Sequence, residues 1–175
     1  YKTGQLDGGW LPEPFASRWK EHPYEGEVAF ADHCVGQVLE KLRQLGLYDE
    51  TLIVITGDHG EMLGEHGELN HGFFIYEGNL RVPLVVRVPH AEGASRQVEI
   101  PVSLIDIVPT VLSLVGAEVP KEVQGVDLSP WLAGRGAGGG GRPLYAETVT
   151  PTRYYGANSL LGVIVDGWKY IETTR

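Results

Sequence analysis

"TLIVITGDHGEMLGEHGELNHGFFIYEGNLRVPLVV", residues 51–86, decides the fold. Leu52 to Thr56 form an apolar, β-branched run without polar alternation, the pattern of a strand buried on both faces. The run stops at Gly57-Asp58-His59-Gly60. A glycine-dotted stretch rich in histidine and carboxylate follows, and a second apolar run, "VPLVVRV" over 82–88, predicts another strand. Pro83 is tolerated at its entry.

Upstream, residues 24–46 have helical periodicity, with Val28, Ala31, Val35, Val38, Leu39, Leu42 and Leu45 on one stripe and Gly46 as a stop. Downstream, residues 103–115 predict a second helix. Ser103 is its N-cap with Asp106 three positions on, Gly116 its stop, and Pro109 a kink or the mark of its first complete turn. "GVDLSPWL" predicts a short helix and "RPLYAETV" a third strand. Residues 134–142 read as a flexible Gly-rich loop. Asp166-Gly167 between two apolar runs predicts a hairpin. Residues 1–23 show no period and read as a loop. The order of elements predicts an α/β layer with a mainly parallel sheet and an antiparallel hairpin near the end. Both ends read as cut, so residues 1–175 are expected to be a single partial domain.

An apolar content of 42% and a charged content of 21% are globular values. The net charge of −9 excludes a nucleic-acid backbone as the main partner, yet admits a small anionic substrate, since one cation reverses the local field. Cys34 stands alone, so it forms no internal disulfide; it lies on the helical stripe and suits packing. No stretch in this piece approaches the ~18 apolar residues of a membrane span.

In open α/β sheets, ligands gather at the carboxyl ends of strands. Asp58 and His59 lie there, and Gly57 and Gly60 permit the bend that turns both side chains toward one point. A carboxylate oxygen with an imidazole nitrogen suits a divalent metal. Two donors are an incomplete set; His66, His71, Glu61, Glu65 and Glu68 are nearby candidates for the rest. Against this, an Asp-His pair can simply cap a turn. The acidic residues of "GEMLGEHGE" suit a solvated face, His66 a solvated loop, and His22, His33 and His90 surface or structural roles.

The 51–86 stretch resembles the C-terminal half of the sulfatase family, in the alkaline-phosphatase-like superfamily. "YEGEVAFADHCVGQVLEKLRQLGLYDETL", "PVSLIDIVPTVLSLVGAEVPKEVQGVDLSPWL" and "DGWKYI" extend the likeness over most of residues 24–171. The tail "YAETVTPTRYYGANSLLGVIVDGWKYIE" looks most like a bacterial subgroup of sulfatase-like hydrolases or transferases. The resemblance implies part of a three-layer sandwich, with a mainly parallel sheet flanked by helices. It implies metal-assisted transfer of a sulfuryl or phosphoryl group, with a sulfate or phosphate ester as substrate. Asp58 and His59 match the family's metal positions, and His71 matches a Lys or His that contacts the transferring group or leaving oxygen. The metal would be Ca²⁺ or Mg²⁺ in a sulfatase, and Mn²⁺ or Zn²⁺ in a phospho-transfer branch.

The family's nucleophile motif, Cys/Ser-x-Pro-x-Arg, is absent, and Cys34-Val35-Gly36 does not match it. This piece is therefore expected to need a missing N-terminal half as partner and to be inactive alone. A surface facing that half would be uncovered and would invite oligomerisation. Periplasmic or extracellular placement is implied by bacterial relatives only. The alternatives are a phosphodiester or phosphonate hydrolase, a phosphoethanolamine- or phosphoglycerol-type transferase, and a non-catalytic binding domain of the same fold.

Overall fold

Two short apolar strands in this chain find each other across a loop of 27 residues, Gly57 to Pro83. In the computed structural model, which describes residues 10–91, 95–136, 138 and 141–174, β1 (Ile53–Thr56) pairs antiparallel with β2 (Leu84–Arg87). The register sets Val54 opposite Val86 and Thr56 opposite Leu84. By strand alternation, Val54, Leu84 and Val86 share one face. They line an apolar cleft with Ile107, Val111 and Leu128. On the other face Val85 is 55% exposed. The strand expected to be buried on both faces is thus half-buried in this chain, with Ile53 to Ile55 intermediate and Thr56 exposed.

The chain divides into two units, Tyr1–Thr51 and Leu52–Arg175. In the first, α1 (Phe15–Arg18) precedes α2 (Pro23–Gln44). The aperiodic opening therefore contains one helical turn that sequence periodicity does not reveal, because a single turn is too short to show a repeat. Trp10 and Phe15 each pack edge-on against Phe30, and Gly26 is buried where a Cβ would meet Trp19 and Leu11. Pro23 occupies the first turn of α2, where its missing N–H costs nothing. The expected stripe is only partly covered: Val28, Val38 and Leu45 are exposed, whereas Cys34 is half-buried.

In the second unit, α4 (Ile107–Leu114) follows a 3₁₀ turn at Leu104–Asp106. Ser103 N–H donates to Asp106 Oδ2 at 2.8 Å, closing the expected capping interaction. Pro109 sits within the first turn of α4, buried, as its lack of a donor requires. Both long helices end in the same way. Gly46 and Gly116 adopt positive φ of 69° and 73°. Each is followed by a 2.9 Å bond closing the last turn, from Leu47 N–H to Leu42 and from Ala117 N–H to Leu112.

After α3 (Glu77–Leu80) and α5 (Ser129–Leu132), the chain forms β3 (Leu144–Thr148), α6 (Thr150–Tyr155), β4 (Leu160–Val165) and β5 (Trp168–Thr173). The three strands make an antiparallel sheet in the order β3-β4-β5, with Asp166 and Gly167 in the left-handed region at the β4–β5 turn. The predicted hairpin is present. Ala137, Gly139 and Gly140 of the Gly-rich segment lie outside the described residues.

The α/β class with a C-terminal hairpin stands. The mainly parallel sheet does not appear in the pairing of this chain: among the described residues all three strand pairs are antiparallel. A parallel pair needs a crossover, usually a helix running the length of the strand. Between β1 and β2 the helical pieces are one turn each, Glu65–Gly67 and Glu77–Leu80.

Candidate metal and ester site at the end of β1

Asp58 and His59 follow β1 directly. The Asp58 side chain is 91% exposed; its Oδ1 accepts the His59 N–H at 3.1 Å. His59 Nδ1 lies 2.9 Å from the Gly60 carbonyl. A carbonyl only accepts, so in the neutral ring Nδ1 carries the proton and Nε2 keeps its lone pair. That Nε2 stands 3.7 Å from Asp58 Oδ2. The distance is too long for a hydrogen bond. With metal–donor bonds of about 2.0–2.5 Å, two neighbouring ligands of one ion stand roughly 3–4 Å apart. The pair fits a divalent cation, with the His59 ring oriented by its backbone acceptor as metal-bound imidazoles commonly are. Two donors are too few to define a metal site, and among the described residues no three His, Cys, Asp or Glu side chains form a metal-binding group.

The loop folds back and brings His71 alongside. Gly60 N–H donates to Asn79 O at 2.8 Å and Met62 N–H to Asn70 O at 3.3 Å. A Cβ on Gly60 would collide with the Gly78 carbonyl, so this approach is open to glycine alone. The His59 and His71 rings lie 4.0 Å apart between centroids, tilted by 31°. His71 Nδ1 lies 3.0 Å from Glu61 Oε2, which makes it the donor to that carboxylate.

The other nearby candidates are used structurally. His66 stacks on Tyr76 at 4.2 Å, and Glu65 accepts the Leu63 N–H. Glu68 is 8% exposed; it accepts the Phe73 and Phe74 N–H groups and the Asn79 amide. Glu61 and Glu68 therefore depart from the expected solvated face. Backbone donors and imidazoles at a loop crossing draw these carboxylates inward, and residue spacing carries no sign of that. His22 pairs with Glu25, and His33 packs against Phe15.

Two supports come from the C-terminal sheet. The Thr148 hydroxyl donates to the carbonyl of Gly72, the residue after His71. Lys169 donates to Ile75 O at 3.1 Å and pairs with Glu77 at 2.5 Å. Neither Thr148 nor Lys169 carries a local sequence signal beyond its place on a strand.

The sulfatase family model matches residues 21–117, more than half of the chain. The chain belongs to the sulfatase family. It is 36% identical over 140 residues to the N-acetylglucosamine-6-O-sulfatase of Bacteroides thetaiotaomicron, covering 78% of this sulfatase-family chain and 24% of that protein. Among solved structures it is similar to BT4656 in complex with its substrate D-glucosamine-2-N,6-O-disulfate (31% identity, TM-score 0.67, covering 93% of this chain and 34% of that one). It is likewise similar to the phosphonate monoester hydrolase of Agrobacterium radiobacter (33% identity, TM-score 0.74, 86% and 32% covered). The chain spans about a quarter of the length of the curated relative, 24%. No helix among the described residues is long and apolar enough to cross a membrane.

Proposed function

We propose that the full-length protein is a metal-dependent hydrolase of sulfuric esters, with Asp58 and His59 as metal ligands and His71 acting at the ester. The observation that carries this is the convergence of the three side chains at the end of β1, with Asp58 Oδ2 facing His59 Nε2 and His71 packed on the His59 ring. Asp58 and His59 would hold a divalent cation, which would supply Lewis-acid polarisation of the ester. His71 offers Nε2 to the departing ester oxygen, to which it passes a proton as the bond to sulfur breaks. The family match covers all three residues.

The isolated 175-residue chain is expected to turn over no ester, because two converging ligands and no nucleophile motif are a partial machine. The N-terminal half expected as partner would supply both. A periplasmic or extracellular placement of the full-length protein rests on the bacterial likeness alone, and fractionation of the native host tests it.

The likeness to a phosphonate monoester hydrolase at 33% identity supports a second reading, hydrolysis of phosphonate or phosphate monoesters and diesters. Ca²⁺ or Mg²⁺ goes with the first chemistry and Mn²⁺ or Zn²⁺ with the second. The deciding experiment incubates the metal-loaded full-length protein with an aryl sulfate, an aryl phosphonate monoester and an aryl phosphodiester. Faster release from the sulfate supports the first reading, and faster release from a phosphorus ester replaces it with the second. No release from any of the three overturns both.

A further inference from the structure

Glu61 departs from the surface role that its place in an acidic, glycine-dotted loop suggests. Its side chain is 14% exposed, and Oε2 accepts the His71 Nδ1–H at 3.0 Å. Its Oε1 is shut off from solvent without a hydrogen-bond partner among the described residues. A half-satisfied buried carboxylate is costly. Here its satisfied half is spent on His71. The backbone on both sides is fixed: Gly60 is tied to Asn79, Met62 to Asn70, and Met62 is 1% exposed. Residue 61 is thus anchored one position before the bond that ties position 62 to 70, which sets its carboxylate against residue 71.

We propose that Glu61 is a positioning residue for His71, resting on the reading of His71 as the group that acts at the ester. By accepting from Nδ1, the carboxylate excludes the other tautomer and prevents rotation about the ring axis. Nε2 is then the working atom in either protonation state. When His71 passes its Nε2 proton to the leaving oxygen, that oxygen keeps the electron pair of the broken bond. The ring is left neutral, with Nδ1–H still held by Glu61. Such an orienting carboxylate behind an acid–base imidazole is a recurrent arrangement in catalysis.

The test uses full-length protein with ¹⁵N-labelled histidine, and the variants Glu61→Ala, Glu61→Gln and His71→Gln, the last to assign the His71 signals. Long-range ¹H–¹⁵N spectra are taken at a pH where the rings are neutral, and kcat and KM are measured on the best aryl ester. Wild type and Glu61→Gln, whose amide oxygen still accepts, are expected to show the Nδ1–H tautomer at His71. Glu61→Ala is expected to show a mixture of tautomers, and to lose about 10–100-fold in kcat with KM unchanged. Glu61→Gln is expected to recover most of that loss. The proposal is overturned if Glu61→Ala keeps the wild-type nitrogen pattern. It is also overturned if both Glu61 variants lose kcat in parallel with melting temperature, which is the mark of a purely structural pair. If the tautomer responds as expected while His71→Gln turns over like wild type, Glu61 still orients His71 but the functional reading fails.

Discussion

The rings of His59 and His71 are in contact, 4.0 Å between centroids, although they are twelve positions apart in the chain. The contact arises from the loop that folds back between them, not from a shared helix or strand. The Met62–Asn70 and Gly60–Asn79 backbone bonds close that loop. The proposed metal ligand His59 and the proposed ester residue His71 are thereby held by one short segment.

Separate duties predict separable losses. In the full-length protein, Asp58→Ala is expected to lower affinity for the divalent metal and remove most activity. His71→Ala is expected to reduce kcat by about 10²–10⁴-fold, the usual worth of a placed acid–base group. It should leave metal affinity nearly unchanged. Metal titration by calorimetry beside steady-state kinetics separates the two. Equal metal loss in both variants would show that His71 is a ligand.

Two glycines predict opposite effects of the same substitution. Gly36 lies within α2 with nothing within 4 Å of where a Cβ would sit. Gly36→Ala is expected to stabilise by about 0.5–1 kcal/mol, because alanine loses less backbone freedom in a helix. Gly60→Ala drives a Cβ into the Gly78 carbonyl. It is expected to cost about 1–3 kcal/mol and to displace the neighbouring Asp58 and His59. Denaturant melts measure the first quantity, and metal affinity reports the displacement.

Much of this was legible in the sequence, and the failures share a cause. The helix stops at Gly46 and Gly116, the Ser103–Asp106 cap and the Asp166-Gly167 turn are local, and short-range chemistry determines them. The convergence of Asp58 and His59 was legible, because they directly follow an apolar run and have a glycine on either side. Glu61 behind His71 and Thr148 behind Gly72 were not, since each partner comes from a chain crossing that no period encodes. The antiparallel pairing of β1 with β2 escaped for the same reason: an apolar run without alternation tells of burial and not of direction. The apolar character of that strand is greater than its half-buried state in this chain uses.

The buried ion pair at the head of α4 predicts a pH dependence. Asp106 is 0% exposed and accepts from Arg142 at 2.8 and 2.5 Å, from Ser103 N–H at 2.8 Å and from Val126 N–H at 2.9 Å. Burial favours its neutral form. The hydrogen bonds from Arg142, Ser103 and Val126, with the Arg142 charge, outweigh that and hold the carboxyl below its usual value. A carboxyl depressed in the folded state binds its proton more weakly there than in the unfolded chain. Its contribution is therefore fully present above the unfolded value of ~3.9, and is lost as pH falls through the lower folded value. Asp106→Asn is expected to flatten the stability profile below about pH 4. Near neutrality it should cost about 2–4 kcal/mol, somewhat less than a fully buried pair because Arg142 is 28% exposed. Thermal melts from acid to neutral pH check both features.

Thr148 predicts that the C-terminal sheet tunes the proposed ester site without changing metal affinity. It is 8% exposed, its hydroxyl donates to the Gly72 carbonyl, and its oxygen accepts the Thr150 N–H at 3.3 Å. Thr148→Val removes the hydroxyl and leaves the Gly72 carbonyl without that donor, which is expected to cost about 1–3 kcal/mol. Gly72 directly follows His71, so the freed peptide lets the ring shift against Glu61 and His59. Asp58 and His59 are tied at the other crossing, by Gly60 to Asn79, and keep their geometry. The expected outcome is a fall in kcat with unchanged metal affinity. Restoring the hydroxyl in Thr148→Ser should recover turnover even where the lost methyl keeps stability low. Equal kcat for the valine and serine variants would show that the hydroxyl bond to Gly72 plays no part in holding His71.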